Sequence, residues 1–393
     1  MDINGYGTFL EEKARREVRR RRSRRTTIDV TRWMSRIDDN DLLSGISIPG
    51  THDSAASGSI WPFVSTQKLD IGEQLNAGIR YFDLRCGLRH NVLEMVHGRA
   101  LLGRTLDVVL SAMYAFLDAH PTEGLIVQLK HDRADEDSDL SFHAAVWAAV
   151  DAKPQYWRTF PTTPTMGELR GKIQVFRRFH GPPYRGIDVS RWEDNPAQPF
   201  TIHTWSGVQL VIQDHYSPTE PAPLPDFINR KGGDVARMLE RASTDTDISR
   251  WYVNFVSAFE FNLYYRVQPR EIAIGGYWDF RWVVGINPRL SQYLKTHFEK
   301  RKKVRYGIVI MDFPDQEPST DLVRNVIASN SGRRKKKKMP DPVILMALLL
   351  FVIFMTGAVL RLVYGPAAPA RCIPLFHACA LRGDVRKVTL QDT

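Results

Sequence analysis

The chain of 393 residues contains three cysteines, Cys86, Cys372 and Cys379. So few cysteines exclude a disulfide framework and a cysteine-rich zinc site, and they suit a reducing compartment. The basic amino terminus is not followed by an apolar stretch, so no secretory signal peptide is expected there. The length allows one large barrel-type domain or two ordinary domains.

The positive charge of the chain is concentrated in two tracts. The net charge is +10, residues 1–27 contain nine Lys/Arg and four Asp/Glu, and residues 333–338 are all basic. The rest of the chain is therefore close to neutral. Basic tracts of this kind usually face nucleic acid, an import receptor or anionic lipid, and the alternative is a disordered solubilising tail. We interpret residues 1–30 as a basic, disordered segment.

Apolar runs alternate with helical patterns in the body of the chain, and several runs are apolar throughout, as expected of a parallel sheet buried on both faces. About eight strands with helices between them predict an α/β fold, a distorted TIM barrel over residues 31–328. The second and third strands are too close for a helix between them. Strands are predicted at Gly45–Ile48, Ile79–Arg85, Leu93–His97, Leu125–Lys130, Ile173–Arg177, Val208–Gln213, Trp251–Phe255 and Gly307–Met311.

Two stretches, residues 180–206 and 217–232, are rich in proline. Proline interrupts helices and strands, so both stretches are predicted to be long loops over one face of the barrel.

The composition changes abruptly after Asn330. A polybasic linker, residues 329–342, precedes an uncharged apolar run that just meets the length needed to span a bilayer. Because the run is apolar on every face, we predict a single transmembrane helix at residues 343–363, with a short tail at 364–393. The positive-inside rule then predicts a single-pass membrane protein whose barrel faces the cytosol.

Polar side chains stand where the predicted strands end. Any one of them alone is better explained as a structural polar group. The active sites of TIM barrels gather at the carboxyl ends of the strands, so the whole set is expected in one mouth. The set is His52 with Asp53, Arg85, His97, Lys130, Arg178, Asp214 with Tyr216, Asn254 with Ser257, and Asp312.

The residue types in this set indicate a reaction. Two histidines can act as general base and general acid in one reaction, and an aspartate can hold a histidine in the required tautomer. An arginine or lysine can neutralise charge on phosphoryl oxygens. The set therefore indicates metal-independent cleavage of a phosphodiester, with a neighbouring hydroxyl of the substrate as nucleophile.

Seven segments together resemble the phosphatidylinositol-specific phospholipase C X-domain family, in its bacterial, metal-independent form. They occur in the order of that family, and the similarity covers residues 31–328. The segments are Ser47–Ser54, Arg80–Arg85, Val96–Gly98, Gln213–Tyr216, Tyr252–Phe255, Ile286–Pro288 and Met311–Phe313.

The resemblance implies cleavage of phosphatidylinositol to diacylglycerol and inositol 1,2-cyclic phosphate. It implies that His52 is the base for the inositol 2-hydroxyl, with Asp312 as its orienting carboxylate. His97 is then the acid that protonates the leaving diacylglycerol oxygen, and Asp53 pairs with the phosphate-binding Arg85.

The resemblance also suggests how the inositol ring is held. Arg85 stands where calcium-dependent relatives keep metal ligands, so neither a metal nor a cofactor is expected. Arg177 and Arg178 are adjacent, and the sequence does not show which of the two contacts inositol. The inositol contacts implied are Lys130, Arg178, Asp214 and Tyr216.

The basic amino terminus, the loop at residues 180–206 and the predicted anchor depart from the secreted bacterial pattern. The partners expected are phosphatidylinositol in a membrane and anionic lipid against the basic tracts, with no nucleic acid and a monomeric chain. One alternative is a non-catalytic lipid-binding or tethering barrel, although none of the catalytic positions is lost. Another is a related metal-dependent enzyme of the glycerophosphodiesterase type.

Overall fold

The computed structural model describes residues 28–300, 303–318 and 320–331. The strands of the described residues are β1 Ile48–Thr51, β2 Tyr81–Arg89, β3 Val92–His97, β4 Ala100–Thr105, β5 Leu125–Glu136, β6 Trp157–Arg158, β7 Ile173–Arg178, β8 Ile187–Asp188, β9 Phe200–His203, β10 Gln209–Gln213, β11 Trp251–Phe255, β12 Glu260–Phe261, β13 Arg266–Val267, β14 Gly275–Trp278, β15 Arg281–Val284 and β16 Ile308–Met311.

The helices lie mainly between the strands of the central sheet. Helix α1 begins at a capping box, in which Asp70 accepts a hydrogen bond from the amide of Glu73 at 2.8 Å and Glu73 accepts one from the amide of Asp70 at 3.0 Å. The α-helices are α1 Ile71–Asn76, α2 Leu106–Ala119, α3 Phe142–Asp151, α4 Met166–Leu169, α5 Leu224–Thr244, α6 Pro269–Ala273, α7 Ile286–Lys300 and α8 Leu322–Ala328.

Seven parallel strands form the centre of the sheet, in the order β7-β5-β2-β1-β16-β11-β10. All residues of β1, β11 and β16 are buried, as expected of strands covered on both faces. Gly50 of β1 lies directly against Tyr81 of β2, and a Cβ there would come within 3.0 Å of the tyrosine. The close approach of these two strands therefore requires glycine.

The sheet curls without closing. Two short strands, β6 and β8, both pair with the outer edge of β7, the edge away from β5, and β9 pairs antiparallel with the outer edge of β10. Among the described residues no strand pairing joins these two edges. The predicted α/β fold is confirmed as a curled, TIM-like sheet, but it is an open half-barrel rather than a ring of eight strands.

The predicted strand Leu93–His97 is not a barrel strand. It pairs antiparallel with the end of β2, which runs to Arg89 and past the predicted end of the strand. The turn between β2 and β3 consists of His90 and Asn91, both in the left-handed region at φ 50° and 63°. Two such residues make a turn that suits the twist of a β-hairpin, which explains why no helix separates these strands.

The two predicted loops are partly regular structure. Helix α5 begins at Leu224, inside the stretch 217–232, and the stretch 180–206 contains β8 and β9. Pro223 and Pro225 lie at the start of α5, where a helix tolerates proline because the first amides have no partner within the helix. The prolines therefore mark a helix start rather than a loop.

The predicted transmembrane helix, and the localisation derived from it, do not agree with the helices of the described residues. Across residues 28–300, 303–318 and 320–331, no helix is both long enough and apolar enough to cross a bilayer. The longest of them, α5, carries charged residues in each turn of its outer face. The prediction of a single-pass membrane protein with a cytosolic barrel is therefore wrong. The segment on which it was based, residues 343–363, lies outside the described residues, as do residues 1–27 and the basic run 333–338.

Candidate active site

The predicted site residues lie at one end of the sheet, because the carboxyl ends of parallel strands share one edge. Alternation along each strand selects which of them point inward. In β2, for example, Tyr81, Asp83 and Arg85 face the interior of the half-barrel, and in β5 the same face presents Gln128 and Lys130.

The turn after β1 is fixed by its own polar residues. The hydroxyl of Thr51 donates to Gln74 at 2.8 Å, and the hydroxyl of Ser54 donates to the carbonyl of Thr51 at 2.9 Å. The amide of Gln67 donates to the carbonyl of His52 at 2.8 Å. Asp53 is held at φ 40°, a conformation that is unusual for a residue with a side chain. This network explains how Thr51-His52-Asp53-Ser54 presents two side chains in a strained turn.

His52 lies between an aspartate and an arginine. Its Nδ1 is 2.9 Å from Asp312 Oδ1, and its Nε2 is 2.8 Å from a terminal nitrogen of Arg85. Nε2 also lies 3.3 Å from Asp53 Oδ2, but the Arg85 contact is shorter and a guanidinium can only donate, so in the neutral ring Nε2 accepts and the proton is on Nδ1. Burial, and then the positive charge of Arg85, lower the pKa of His52 well below its ordinary value. Both effects favour the neutral imidazole of His52.

Arg85 is the centre of a carboxylate cluster. Its Nε is 2.7 Å from Asp53 Oδ1, and a terminal nitrogen is 3.2 Å from Asp83 Oδ2. Burial alone would lower the pKa of Arg85, but these carboxylates raise it above the ordinary value. Asp83 is held in turn by Gln128, whose amide donates to it at 2.7 Å. Arg85 is thus a fixed cation in the mouth of the half-barrel.

His97, at the end of β3, faces two acceptors. Its Nδ1 is 2.8 Å from the backbone carbonyl of Val64, and its Nε2 is 3.2 Å from Asp53 Oδ2. A carbonyl and a carboxylate both accept, so the ring meets both contacts when both nitrogens carry protons. Its centroid is 6.4 Å from that of His52. Asp53 Oδ2 thus lies between the Nε2 atoms of the two histidines, 3.3 Å from that of His52 and 3.2 Å from that of His97.

Asp312 supports His52 from β16. Burial, followed by the nearby charge of Asp53, raises the pKa of Asp312 well above its ordinary value. The backbone carbonyl of Asp312 accepts a hydrogen bond from Asn287 at 2.8 Å, and the next residue, Phe313, has a φ of 45°. A buried carboxylate in this position is stabilised when the adjacent imidazole takes up a proton.

Lys130 and Asp132 form an ion pair at the end of β5. Asp132 also accepts a hydrogen bond from the amide of Gly98 at 3.1 Å and lies 3.9 Å from Arg85. Asp132 was not in the predicted set. It stands two residues beyond Lys130, on the same face of a strand that continues to Glu136, so the period of two could have identified it.

Arg178 and Asp214 are joined by a tryptophan from the loop that follows β8. Trp192 Nε1 donates to Asp214 Oδ2 at 2.8 Å, and the guanidinium of Arg178 lies 4.3 Å from the centre of the Trp192 ring. Arg178 itself is 4.0 Å from Asp214. Burial lowers the pKa of Arg178 and raises that of Asp214. Trp192 was not predicted, because nothing in its local sequence links it to these strands.

Arg177 points away from this group. It is buried on the other face of β7, where it pairs with Asp188 at 2.7 Å and donates to the carbonyl of Phe179 at 2.6 Å. Arg178 is the neighbour that reaches the mouth of the half-barrel.

Tyr216 completes this side of the site. Its hydroxyl donates to Asp194 at 2.9 Å, and its ring stacks on Phe259 with centroids 5.8 Å apart. Burial, and then the bond to Asp194, raise the pKa of Tyr216 to about 12.

Asn254 lies outside the cluster. It is fully buried, accepts a hydrogen bond from Gln213 at 2.8 Å and donates to the carbonyl of Val235 at 3.0 Å. These bonds attach β11 to its neighbours, so Asn254 has a structural environment. Ser257 is buried beyond the end of β11.

The cluster includes a possible set of metal ligands. His52, Asp53 and Asp83 bring ligand atoms within 4.8 Å of one another. Arg85, however, contacts each of these three side chains, at 2.8, 2.7 and 3.2 Å. Its guanidinium already supplies positive charge at this position, so the residues present do not fit a metal ion well.

Exposed apolar side chains surround the mouth. They come from the loop after β1 and from the hairpins β12–β13 and β14–β15, which precede β16. The rings of Phe63 and Phe261 are 5.0 Å apart, and those of Tyr265 and Trp278 are 5.7 Å apart, so the three segments contact one another. We call this surface the apolar rim; it consists of Ile60, Trp61, Phe261, Leu263, Tyr264, Tyr277 and Phe280.

Comparison with known proteins agrees with this arrangement. The family model PI-PLC X 1 matches residues 40–154. The 1-phosphatidylinositol phosphodiesterase of Staphylococcus aureus strain Newman is 30% identical over 321 residues, which cover 76% of this chain and 93% of that protein. The Listeria monocytogenes 1-phosphatidylinositol phosphodiesterase is 26% identical over 77% of this chain and 86% of its own length. A solved structure of a phosphatidylinositol-specific phospholipase C mutant from S. aureus has a TM-score of 0.65 and 28% identity, covering 77% of this chain and 98% of that one.

Proposed function

The chain belongs to the phosphatidylinositol-specific phospholipase C family, and we propose that its site cleaves phosphatidylinositol to diacylglycerol and inositol 1,2-cyclic phosphate. The chain is a phosphodiesterase of this type. The observation that carries the proposed mechanism is the pair of histidines whose Nε2 atoms both face Asp53, with Asp312 and Arg85 holding His52 in the tautomer whose Nε2 carries no proton.

In this proposal His52 starts the reaction. Its Nε2 takes the proton of the inositol 2-hydroxyl, and the oxygen attacks phosphorus to close the five-membered cyclic phosphate. As the imidazole becomes a cation, the Asp312 carboxylate at 2.9 Å stabilises it. Because His52 is neutral before the reaction, it is ready to accept this proton.

His97 completes the reaction. The bond between phosphorus and the glycerol oxygen breaks, and His97 Nε2 gives its proton to that oxygen, so diacylglycerol leaves as a neutral alcohol. Asp53 holds the proton donor at 3.2 Å and also fixes Arg85 at 2.7 Å. Arg85 neutralises the charge that develops on the phosphoryl oxygens.

The inositol ring is assigned to the opposite side of the mouth. Lys130, Arg178, Asp214 and Tyr216 present cations, a carboxylate and a hydroxyl, which suit a ring that offers hydroxyl groups as both donors and acceptors. Trp192 orients two of them. We assign the whole catalytic domain to residues 31–328, which include every helix and strand of the described residues.

The first test is phosphorus NMR of the products from phosphatidylinositol vesicles with EDTA present. We expect a cyclic inositol phosphate signal whose rate of appearance does not depend on the chelator, because Arg85 supplies the charge that a metal would supply. Product that requires added calcium would contradict this mechanism and favour a metal-dependent phosphodiesterase. No product in either condition would favour a non-catalytic lipid-binding barrel.

We propose that the apolar rim contacts the membrane that holds the substrate. Contiguous exposed apolar side chains are unusual on soluble surfaces, and aromatic side chains favour the lipid–water interface. Leu263 is 97% exposed and Phe280 is 100% exposed, so neither contributes to the core. The basic tracts, residues 1–27 and 333–338, would add attraction to anionic lipid, and we propose a monomer.

Replacing a rim residue should weaken vesicle binding without affecting catalysis. We expect Leu263→Ser to lower the affinity for phosphatidylcholine vesicles containing phosphatidylinositol by roughly tenfold, because burying a leucine contributes about 1.5–3 kcal/mol. Sedimentation with the vesicles measures the affinity, and turnover of a soluble short-chain phosphatidylinositol should stay unchanged.

Ile248→Ser is the matched control for this experiment. Ile248 has an isomeric side chain, is exposed, and precedes β11 at the opposite end of the sheet. Equal losses of vesicle binding in the two variants would show that the rim is not the membrane-facing surface.

A further inference from the structure

Lys231 is a buried cation close to the site that the mechanism does not use. It projects from α5, and 1% of its surface is exposed. Its Nζ donates to Gln213 Oε1 at 3.0 Å and to the carbonyl oxygen of His215 at 2.8 Å. Lysine is rarely buried so completely unless its ammonium is paired, and here both partners come from the exit of one strand, β10.

These contacts fix the segment that carries an inositol-side residue. Gln213 and His215 are the neighbours of Asp214 on either side, and Tyr216 follows. The amide of Gln213 donates in turn to Asn254 Oδ1 at 2.8 Å. The ammonium therefore links helix α5 to the carboxyl end of β10 and, through Gln213, to β11. This is where the chain after β10 enters the mouth of the half-barrel.

Three carboxylates and one histidine face Lys231. Asp214 follows β10, Asp312 follows β16 and Asp234 belongs to α5 itself, and His52, which follows β1, is close enough for the charge of Lys231 to lower its pKa. Asp234 also pairs with the imidazole of His215, at 2.9 Å. Burial outweighs these carboxylates and lowers the pKa of Lys231 to about 8. The amine is thus charged at neutral pH and loses its charge in mildly alkaline solution.

Lys231 destabilises the folded state at neutral pH. Its pKa is lower in the folded chain than in the unfolded chain, so folding weakens its hold on the proton. The resulting penalty is full below the folded pKa of about 8, shrinks as the pH rises from there towards the ordinary pKa of lysine, and is absent above that value. A charge that weakens the fold is better explained by what it positions than by the stability of the core.

We propose that Lys231 is a positioning residue for the inositol side of the site, where its ammonium fixes the exit of β10 so that Asp214 and Tyr216 meet the inositol ring. This inference rests on the proposed function, because it assigns the affected contacts to inositol. Lys231 acts through the backbone and through Gln213, without touching the substrate.

The test is Lys231→Met, which keeps an unbranched side chain and removes the charge and its hydrogen bonds. We expect KM for phosphatidylinositol in mixed micelles to rise about tenfold or more, and kcat to change by less than about threefold, because the charge-assisted hydrogen bonds that hold Gln213 and His215 are lost and Asp214 and Tyr216 are no longer held in place for the ring. Inhibition by free myo-inositol should weaken by a similar factor.

Arg230→Met is the matched control. It removes one cation from the adjacent, exposed position of the same helix and should leave KM and kcat within about twofold of wild type. Lys231→Arg keeps its charge in alkaline solution. We expect inhibition by myo-inositol to weaken above about pH 8 in the wild type and to persist there in Lys231→Arg.

Three outcomes would overturn the inference. One is a Lys231→Met variant with wild-type KM and wild-type inhibition by myo-inositol, and another is a variant that loses only kcat. If Lys231→Met does not fold, the same alkaline weakening in Lys231→Arg as in the wild type would be the overturning result. Absence of cyclic product from the wild type would instead refute the proposed function, so the two failures are distinguishable.

Discussion

His52→Ala should lower kcat for phosphatidylinositol by about a thousandfold or more, while the variant stays folded. In the proposed mechanism, this variant loses the group that takes the proton from the inositol 2-hydroxyl. The side chain of His52 lies at the end of β1 and is 12% exposed, with its contacts on the mouth side of the sheet. Turnover can be measured from the cyclic phosphate signal, and folding from circular dichroism and thermal unfolding.

A double variant distinguishes a base from a structural histidine. In the proposed mechanism Asp312 acts through its contact with His52 Nδ1, so Asp312→Asn alone should reduce kcat. Added to His52→Ala, the same change should cost little more, because the two residues work as one unit. His143→Ala, which removes an exposed histidine of α3, should leave kcat unchanged. Additive losses in the double variant would contradict the assignment, as would wild-type turnover in His52→Ala.

The pH profile supplies a second measurement on His52. A general base works when it is unprotonated, so activity is present above its pKa and is lost as the pH falls through it. Burial, and then Arg85, lower that pKa. The acidic limb of kcat/KM should therefore lie below about pH 6.5, the ordinary value for histidine. A limb at or above this value would show that His52 is not the group that titrates.

Most of this site could be located from the sequence because of one geometric rule. Parallel strands end at one edge, so polar residues that follow apolar runs are brought together without any knowledge of the contacts between them. Arg85 lies on β2, and His52 and Asp312 directly follow the adjacent strands β1 and β16; His52 contacts both of the other two residues, as this rule requires.

The errors arise where long-range pairing decides the structure. Leu93–His97 has the composition of a barrel strand, yet the turn at His90 and Asn91 folds it back onto β2. That turn brings His97 towards Asp53 from a hairpin. The sequence pattern instead predicts His97 at the carboxyl end of a barrel strand. His97 was therefore found in the correct place for a partly incorrect reason.

Two groups could not have been found from local pattern. Trp192 reaches Asp214 from a loop 22 residues earlier in the chain. Lys231 reads as one charge among several on an amphipathic helix, and its burial depends on how α5 packs against β10 and β11. In both cases the proposed role of the side chain depends on tertiary contacts. Neither composition nor periodicity carries information about such contacts.

Replacing His97 should have an effect that depends on the leaving group. With phosphatidylinositol, the departing oxygen belongs to an aliphatic alcohol and needs a proton as the bond to phosphorus breaks. We expect His97→Ala to lower kcat by about a hundredfold to ten-thousandfold, the range for loss of a positioned acid. The hydrogen bond from Nδ1 to the carbonyl of Val64 fixes the ring in the wild type. The alanine variant has no imidazole, so it lacks a proton donor at this position.

A substrate with a nitrophenyl ester in place of diacylglycerol separates this role from that of His52. Nitrophenolate is stable as an anion, so its departure requires no acid, and His97→Ala should recover to within about tenfold of the wild type on this substrate. His52→Ala should stay inactive on both substrates, because the 2-hydroxyl must still lose its proton. If His97→Ala were equally impaired on both, His97 would be a structural partner of Asp53, and the proton for the leaving oxygen would come from another group.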